Sequence, residues 1–278
     1  MGVEDLGASY LIESETLKTR IERVQSGGLV VLDARPAAAY QAGHIPGAVN
    51  LDLFDYFVDT SSEGIDRLNQ ELATILGGAG IGGQESVVCY DDELGMRATR
   101  LLWFVEYAGH PQVGVLRGGF PGWLGAGGTR CLELCSARSR SFTLRPHPEI
   151  LATVDYLNES GKGVPLDVRT LAEHRGEMPS SHGPCCPRSG RIPGSRWLEW
   201  TALLTPDRSD LKPPAEIQRL LAERGVTPEQ EVITYCHRGA RAAVAYVALK
   251  QAGFSRVRNY IGSWHEWAEI PHLPIETG

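Results

Sequence analysis

The chain has 278 residues, long for one core and ample for two at about 100–200 residues per domain. Its net charge of −7 argues against nucleic acid or an acidic membrane as partner, so an anionic ligand would need a local positive site. No apolar run reaches the ~18 residues of a membrane span, the amino terminus lacks the basic-then-apolar pattern of a secretion signal, and six cysteines in a chain this long make no disulfide scaffold. A reducing cytoplasm is the expected setting.

In chain order, an early helix signal precedes a strand that closes on Leu32-Asp33-Ala34-Arg35, and the turn Gly43-His44-Ile45-Pro46-Gly47 follows. A further helix leads to the strand Val87-Val88-Cys89-Tyr90 and a loop from Asp91 to Arg97. The helix after that loop ends at Ala108-Gly109, and another strand runs into Leu116-Arg117-Gly118-Gly119 and Trp123. A polar stretch with Arg and Pro, 136–148, reads as a boundary. The same series then starts again: Leu166-Asp167-Val168-Arg169, Gly190-Arg191-Ile192-Pro193-Gly194, Val232-Ile233-Thr234-Tyr235-Cys236, a helix ending at Ala252-Gly253, and Tyr260-Ile261-Gly262-Ser263 through Trp267. Blocks repeated in one order make two copies of one domain, 7–138 and 148–278. Alternating strands and helices imply an α/β fold, each copy a central parallel sheet with helices on both faces. Sites in such sheets lie beyond the carboxyl ends of the strands.

That position in the second copy belongs to Cys236, followed by His237-Arg238-Gly239-Ala240-Arg241. A cysteine facing the first turn of a helix feels unpaired N–H groups and the positive end of the dipole. Both favour thiolate over thiol, as do Arg238 and Arg241. The loop therefore reads as an anion-binding cradle with a nucleophile at its floor, and Gly239 lets the backbone curl around the sulfur. In the first copy Asp91 stands in the nucleophile's place, in a loop one residue longer with Leu94 and Met96 instead of a cationic lining. The second copy carries an insertion at 176–189. Only the second copy is expected to be catalytic.

The blocks LDAR and GHIPGAVNL, with LDVR, CHRGAR and NYIGSWHEW, resemble the rhodanese (thiosulfate sulfurtransferase) family, in its tandem form with an inactive first and an active second domain. The resemblance covers nearly the whole chain. It implies two tandem rhodanese-like domains and a thiosulfate sulfurtransferase that works by two displacements through a Cys236 persulfide. The substrate-binding set it suggests is Arg238, Arg241, His237, Gly239 and Ala240. Arg175 is a candidate stand-in, because Glu173 occupies a position where some members carry a substrate-binding arginine. Members specific for 3-mercaptopyruvate have a small, neutral loop after the cysteine; CHRGAR is cationic and resembles that of thiosulfate users. Related phosphatases need one residue more between cysteine and arginine than the four found here. A second departure is Arg191, where the family's turn usually has histidine.

The partners implied are a small anionic donor (thiosulfate) and a thiophilic acceptor: cyanide, a thiol or an acceptor protein. No cofactor, metal, nucleic acid or membrane is expected. The alternatives are a 3-mercaptopyruvate sulfurtransferase and a module that hands persulfide sulfur to a partner protein. Bland readings stand beside these. Arg241 could chiefly satisfy loop carbonyls, His237 could face solvent, and Trp264 and Trp267 read as core or cleft wall. Asp33, Arg35, Asp167 and Arg169 read as structural pairs beneath the loops. Cys131 and Cys135, with Cys185 and Cys186, match no zinc spacing well; Cys185 and Cys186 could instead accept sulfur from Cys236.

Overall fold

The runs LVVLD, SVVCY and VITY are apolar at almost every position, which suits strands covered on both faces. A computed structural model of the chain describes residues 9–159, 162–180 and 186–278. The first half runs β1 (Leu11–Ile12), α1 (Ser14–Arg20), α2 (Arg23–Ser26), β2 (Leu29–Asp33), α3 (Ala37–Gln41), β3 (Val49–Asn50), α4 (Ser62–Gly78), β4 (Ser86–Tyr90), α5 (Met96–Tyr107), β5 (Val113–Leu116) and α6 (Gly119–Gly125). The second runs β6 (Leu151–Ala152), α7 (Val154–Asn158), β7 (Val164–Asp167), α8 (Leu171–Arg175), β8 (Arg196–Trp197), α9 (Pro214–Ala222), β9 (Val232–Tyr235), α10 (Ala240–Gln251), β10 (Val257–Tyr260) and α11 (Ser263–Glu269), with 3-10 turns at Pro148–Ile150 and Trp200–Leu203.

Among the described residues there are two five-stranded sheets, ordered β1-β5-β4-β2-β3 and β6-β10-β9-β7-β8, with every strand pair parallel. Renumbered within each copy, the two orders are the same, so the repeated sequence blocks carry a repeated topology. The chain forms two compact units, divided after His147. One takes the chain up to Tyr56 with Arg67–His147 and Pro206–Asp210; the other takes Phe57–Asp66, Pro148–Thr205 and Leu211–Gly278. The main division falls at the polar stretch, whereas the two short exchanges have no sequence signal.

Each core gathers the strand and last-helix side chains: Val31, Val88, Tyr90, Phe120 and Trp123 in the first unit, Ile233, Tyr235, Tyr260, Trp264 and Trp267 in the second. Burying one such aliphatic or aromatic side chain contributes about 1.5–3 kcal/mol. α10 is apolar around most of its circumference and nearly all of it is buried, as a helix enclosed by its own fold must be. Beneath each loop lies a buried Asp–Arg pair. Arg169 binds both oxygens of Asp167 (2.9 and 2.6 Å) and the Gly190 carbonyl (2.7 Å); Arg35 does the same with Asp33 (3.0 and 2.6 Å) and Gly43 (2.7 Å). Tyr235 and Tyr90 each donate to that carboxylate, so both pairs are structural, as their sequence context suggests. Among the described residues no helix is long and apolar enough to cross a membrane.

Candidate active site

β9 delivers Cys236 to the carboxyl edge of the second sheet, and α10 begins four residues later. The loop between them is held from outside by its carbonyls. That of Cys236 accepts from the Trp264 amide (3.0 Å), that of His237 from the His265 amide (3.0 Å), and that of Gly239 from the Ala243 amide (3.0 Å) and Asn259 Nδ2 (3.3 Å). In a planar trans peptide the N–H points opposite to the C=O. The amides of His237, Arg238 and Ala240 therefore point away from these carbonyls' partners on α11 and β10. No side chain caps α10, so its opening N–H groups add to the same positive end.

Two backbone positions make this curl possible. Gly239 has φ +79, and a Cβ there would stand 2.9 Å from both Cα and O of Ile261. Ser263 opens α11 at φ 54, unusual for a residue with a side chain. Its hydroxyl accepts from the Cys236 amide (3.1 Å) and donates to the Tyr260 carbonyl (2.6 Å), tying the nucleophile's backbone to the end of β10. The first unit has Gly119, at φ +57, in the corresponding place. Ser263 escapes sequence reasoning because its role depends on a backbone conformation that composition does not encode. Glu266, also on α11, accepts from the Thr60 amide and hydroxyl, fixing that helix to the 57–66 segment of the same unit.

Cys236 itself is only 1% exposed, deeper than an open cradle implies. His237 is buried rather than solvent-facing: its Nδ1 lies 3.9 Å from Cys186 Sγ, and its ring packs against His265, whose pKa burial and Arg238 hold below the ordinary histidine range. Gly239 and Ala240 are buried within the curl. Arg238 is half-buried at the rim, its guanidinium 5.7 Å from the centre of the Phe57 ring.

Arg241 is engaged by Glu173 through two bonds, 2.8 and 3.0 Å, which clamp α10 to α8. Burial would raise the Glu173 pKa, but Arg241, the Thr170 amide and Ser180 bring it down to about 2. The Arg241 charge also lies close enough to Cys236 for the two to interact. Its principal contact is thus the carboxylate, a structural role. Arg175 is not brought to the loop by any described contact. It lies two residues beyond Glu173 on α8, hence on another face, and is exposed, with Glu177 3.7 Å away. Arg191, in the turn where histidine is usual, ties the chain end instead, contacting Glu276 at 3.3 Å and the Gly278 carbonyl at 2.7 Å. Cys185 lies outside the described residues.

The corresponding loop in the first unit is filled by its own side chain. The Asp91 carbonyl accepts from the Phe120 amide (2.8 Å), as Cys236's does from Trp264. The Asp91 carboxylate accepts from the amides of Glu93 (3.0 Å) and Ala98 (3.2 Å), the groups an external anion would use. Burial pushes its pKa up to about 7 against those two amides. The nearest thiol, Cys89, is fully buried in β4, and burial drives its pKa far up.

The profile of the rhodanese-like domain matches residues 15–126 and 152–270. A thiosulfate sulfurtransferase from Azotobacter vinelandii is 32% identical over 270 residues, 96% of each chain. One from Pseudomonas aeruginosa is 32% identical over 259 residues, covering 92% of this chain and 93% of that protein. Among solved structures, an anaerobic ergothioneine biosynthesis enzyme from Chlorobium limicola, bound to trimethyl histidine, superposes with a TM-score of 0.82 at 25% identity, covering 97% of this chain and 70% of that one.

Proposed function

The chain belongs to the rhodanese-like family, carrying its domain twice, and from that premise we propose that Cys236 takes the outer sulfur of thiosulfate and passes it to a thiophilic acceptor. In the first displacement the Cys236 sulfur attacks the outer sulfur. A new S–S bond forms, the bond to the sulfonate sulfur breaks, and its electron pair leaves with sulfite. In the second, cyanide or a thiol attacks the terminal sulfur of the persulfide and the cysteine is restored, so ping-pong kinetics follow.

The observation that supports this reading is the capture of the loop's carbonyls by the amides of Trp264 and His265 and by Asn259, which points the amides of the same peptides to the opposite side of the loop. Those amides and the uncapped start of α10 suit an anionic persulfide. Arg238 at the rim is the group for the sulfonate end, by charge-assisted hydrogen bonds. Arg241 contributes positive charge from its clamp on Glu173. The Asp91 loop serves as an internal comparison: the same fold with a carboxylate where the sulfur stands has no nucleophile to offer.

Incubation with thiosulfate followed by intact-mass measurement is expected to show one added sulfur on the wild type and none on Cys236→Ser. With cyanide as acceptor, thiosulfate should turn over faster than 3-mercaptopyruvate, because the loop is cationic. A wild-type mass that does not change, or a gain that persists in Cys236→Ser, would sink the proposal; faster turnover of 3-mercaptopyruvate would reassign the donor.

A further inference from the structure

The sulfur chemistry makes no use of a second cluster beside the loop. Cys186 Sγ stands 3.8 Å from His265 Nδ1 and 3.9 Å from His237 Nδ1, and the three residues each offer one ligand atom within 4.8 Å of the other two. We infer that Cys186, His237 and His265 form a three-ligand site for one thiophilic transition-metal ion, Zn2+ in the first instance, on the flank of the Cys236 loop.

The spacing suits an ion at the centre. Bonds of about 2.3 Å to sulfur and about 2.0–2.1 Å to nitrogen, at tetrahedral to trigonal angles, separate S from N by roughly 3.6–3.8 Å. A thiolate with two imidazoles is a donor set for Zn2+ or Cu+, not for Ca2+ or Mg2+. Three protein ligands leave one coordination position open, as in metal sites that bind an exchangeable group.

The three residues are held in place independently of any ion. The Arg188 guanidinium donates to the carbonyls of Trp267 (2.8 Å), Ala268 (3.1 Å), Ile270 (2.5 Å) and Leu273 (2.7 Å), fastening the 186–188 segment to the end of α11. The His265 amide bonds the His237 carbonyl, and Phe57 packs edge-on against the His265 ring at 4.6 Å. Cys186 itself has φ 88, a left-handed conformation unusual for a residue with a side chain.

Comparison of the copies points the same way. Asp92 follows Asp91 where His237 follows Cys236, and Pro121 follows Phe120 where His265 follows Trp264. The insertion that carries Cys186 has no counterpart in the first copy. All three donors therefore belong to the copy that has the nucleophile. They come from three separate stretches of chain, which is why cysteine spacing alone gave no sign of a metal.

The test uses metal-free full-length Cys236→Ser, so that the nucleophile cannot serve as a ligand. Titration of Zn2+ against a chromophoric chelator should give one equivalent bound at micromolar affinity or tighter. Cys186→Ala and His265→Ala should each weaken it by more than the ~10–100-fold typical of losing an outer partner, whereas Cys185→Ser should not. Co2+ should give a thiolate-to-cobalt charge-transfer band that disappears with Cys186→Ala and persists in Cys185→Ser. Circular dichroism checks that each variant folds; His265→Gln replaces His265→Ala should the latter fail. Absence of binding below millimolar Zn2+, or binding that survives loss of Cys186, overturns the inference.

Discussion

Gly239 is the residue on which the loop's curvature depends. Its φ of +79 costs an alanine about 1–2 kcal/mol, and the added Cβ would meet the Ile261 backbone at 2.9 Å. Backbone does not yield as a flexible side chain would, so the loop must move off β10. Gly239→Ala is therefore expected to lower the unfolding free energy read from urea denaturation by at least that amount. It should also cut sulfur uptake from thiosulfate by ~100-fold, the scale of a misplacement of about 1 Å. Uptake at the wild-type rate in a variant destabilised by this much would show that the curl is not what activates Cys236. Ser263 is the contrasting case. Sequence places it in a repeated block, but its hydroxyl bridge from the Cys236 amide to Tyr260 depends on the backbone conformation.

At the scale of elements, α8 and α10 are joined by the Glu173–Arg241 clamp. Thr170 and Glu173 form the capping box of α8, so the carboxylate that starts one helix also holds the other. Removing its charge strands a buried guanidinium, at a cost of about 3–5 kcal/mol. The Glu173 pKa is depressed from 4.5 to about 2. Its stabilisation is therefore complete above about pH 4.5 and fades as pH falls through about 2. Urea denaturation of wild type and Glu173→Gln should differ most at neutral pH and converge toward pH 2. A difference constant over that range would mean the carboxylate's charge is not what holds the helices. Short contiguous blocks such as LDVR and CHRGAR were legible in the sequence because the chemistry lies within a few residues. The clamp spans 68 residues and the Cys186–His237 pair 51, and pairings at that separation leave no local pattern. For the same reason the sequence could not show that Arg241's principal contact is Glu173, nor where Arg175, the candidate stand-in for the arginine that some family members carry at the Glu173 position, lies.

Across the whole molecule, one domain has been used twice, and the pKa of Asp91 in the first unit is shifted in the opposite direction to those of Glu173 and Asp167 in the second. The repeat itself was legible in full, since five blocks in one order encode one sheet order; the exchange of 57–66 and 206–210 was not, because it depends on where those segments pack. In the first unit, burial raises the Asp91 pKa from 3.8 to about 7. The folded unit then retains a proton that the unfolded chain has lost, so Asp91's contribution is fully present below about pH 3.8 and is lost as pH rises through about 7. In the second unit Glu173 is depressed, and Asp167 is held well below the carboxylate range by Arg169 and His174 despite its burial, so both gain stability as pH rises out of the acid range. Urea titrations from pH 4 to 8, read by pulsed hydrogen exchange at one labelling pH, can follow β4 and β9 peptides separately. Relative to Asp91→Asn, the wild-type β4 midpoint should fall between about pH 4 and 7, whereas the β9 midpoint should keep the same pH profile in both proteins. Parallel β4 profiles in wild type and Asp91→Asn would show that the Asp91 carboxylate is already charged at pH 4, satisfied by the Glu93 and Ala98 amides as fully as a bound anion would be.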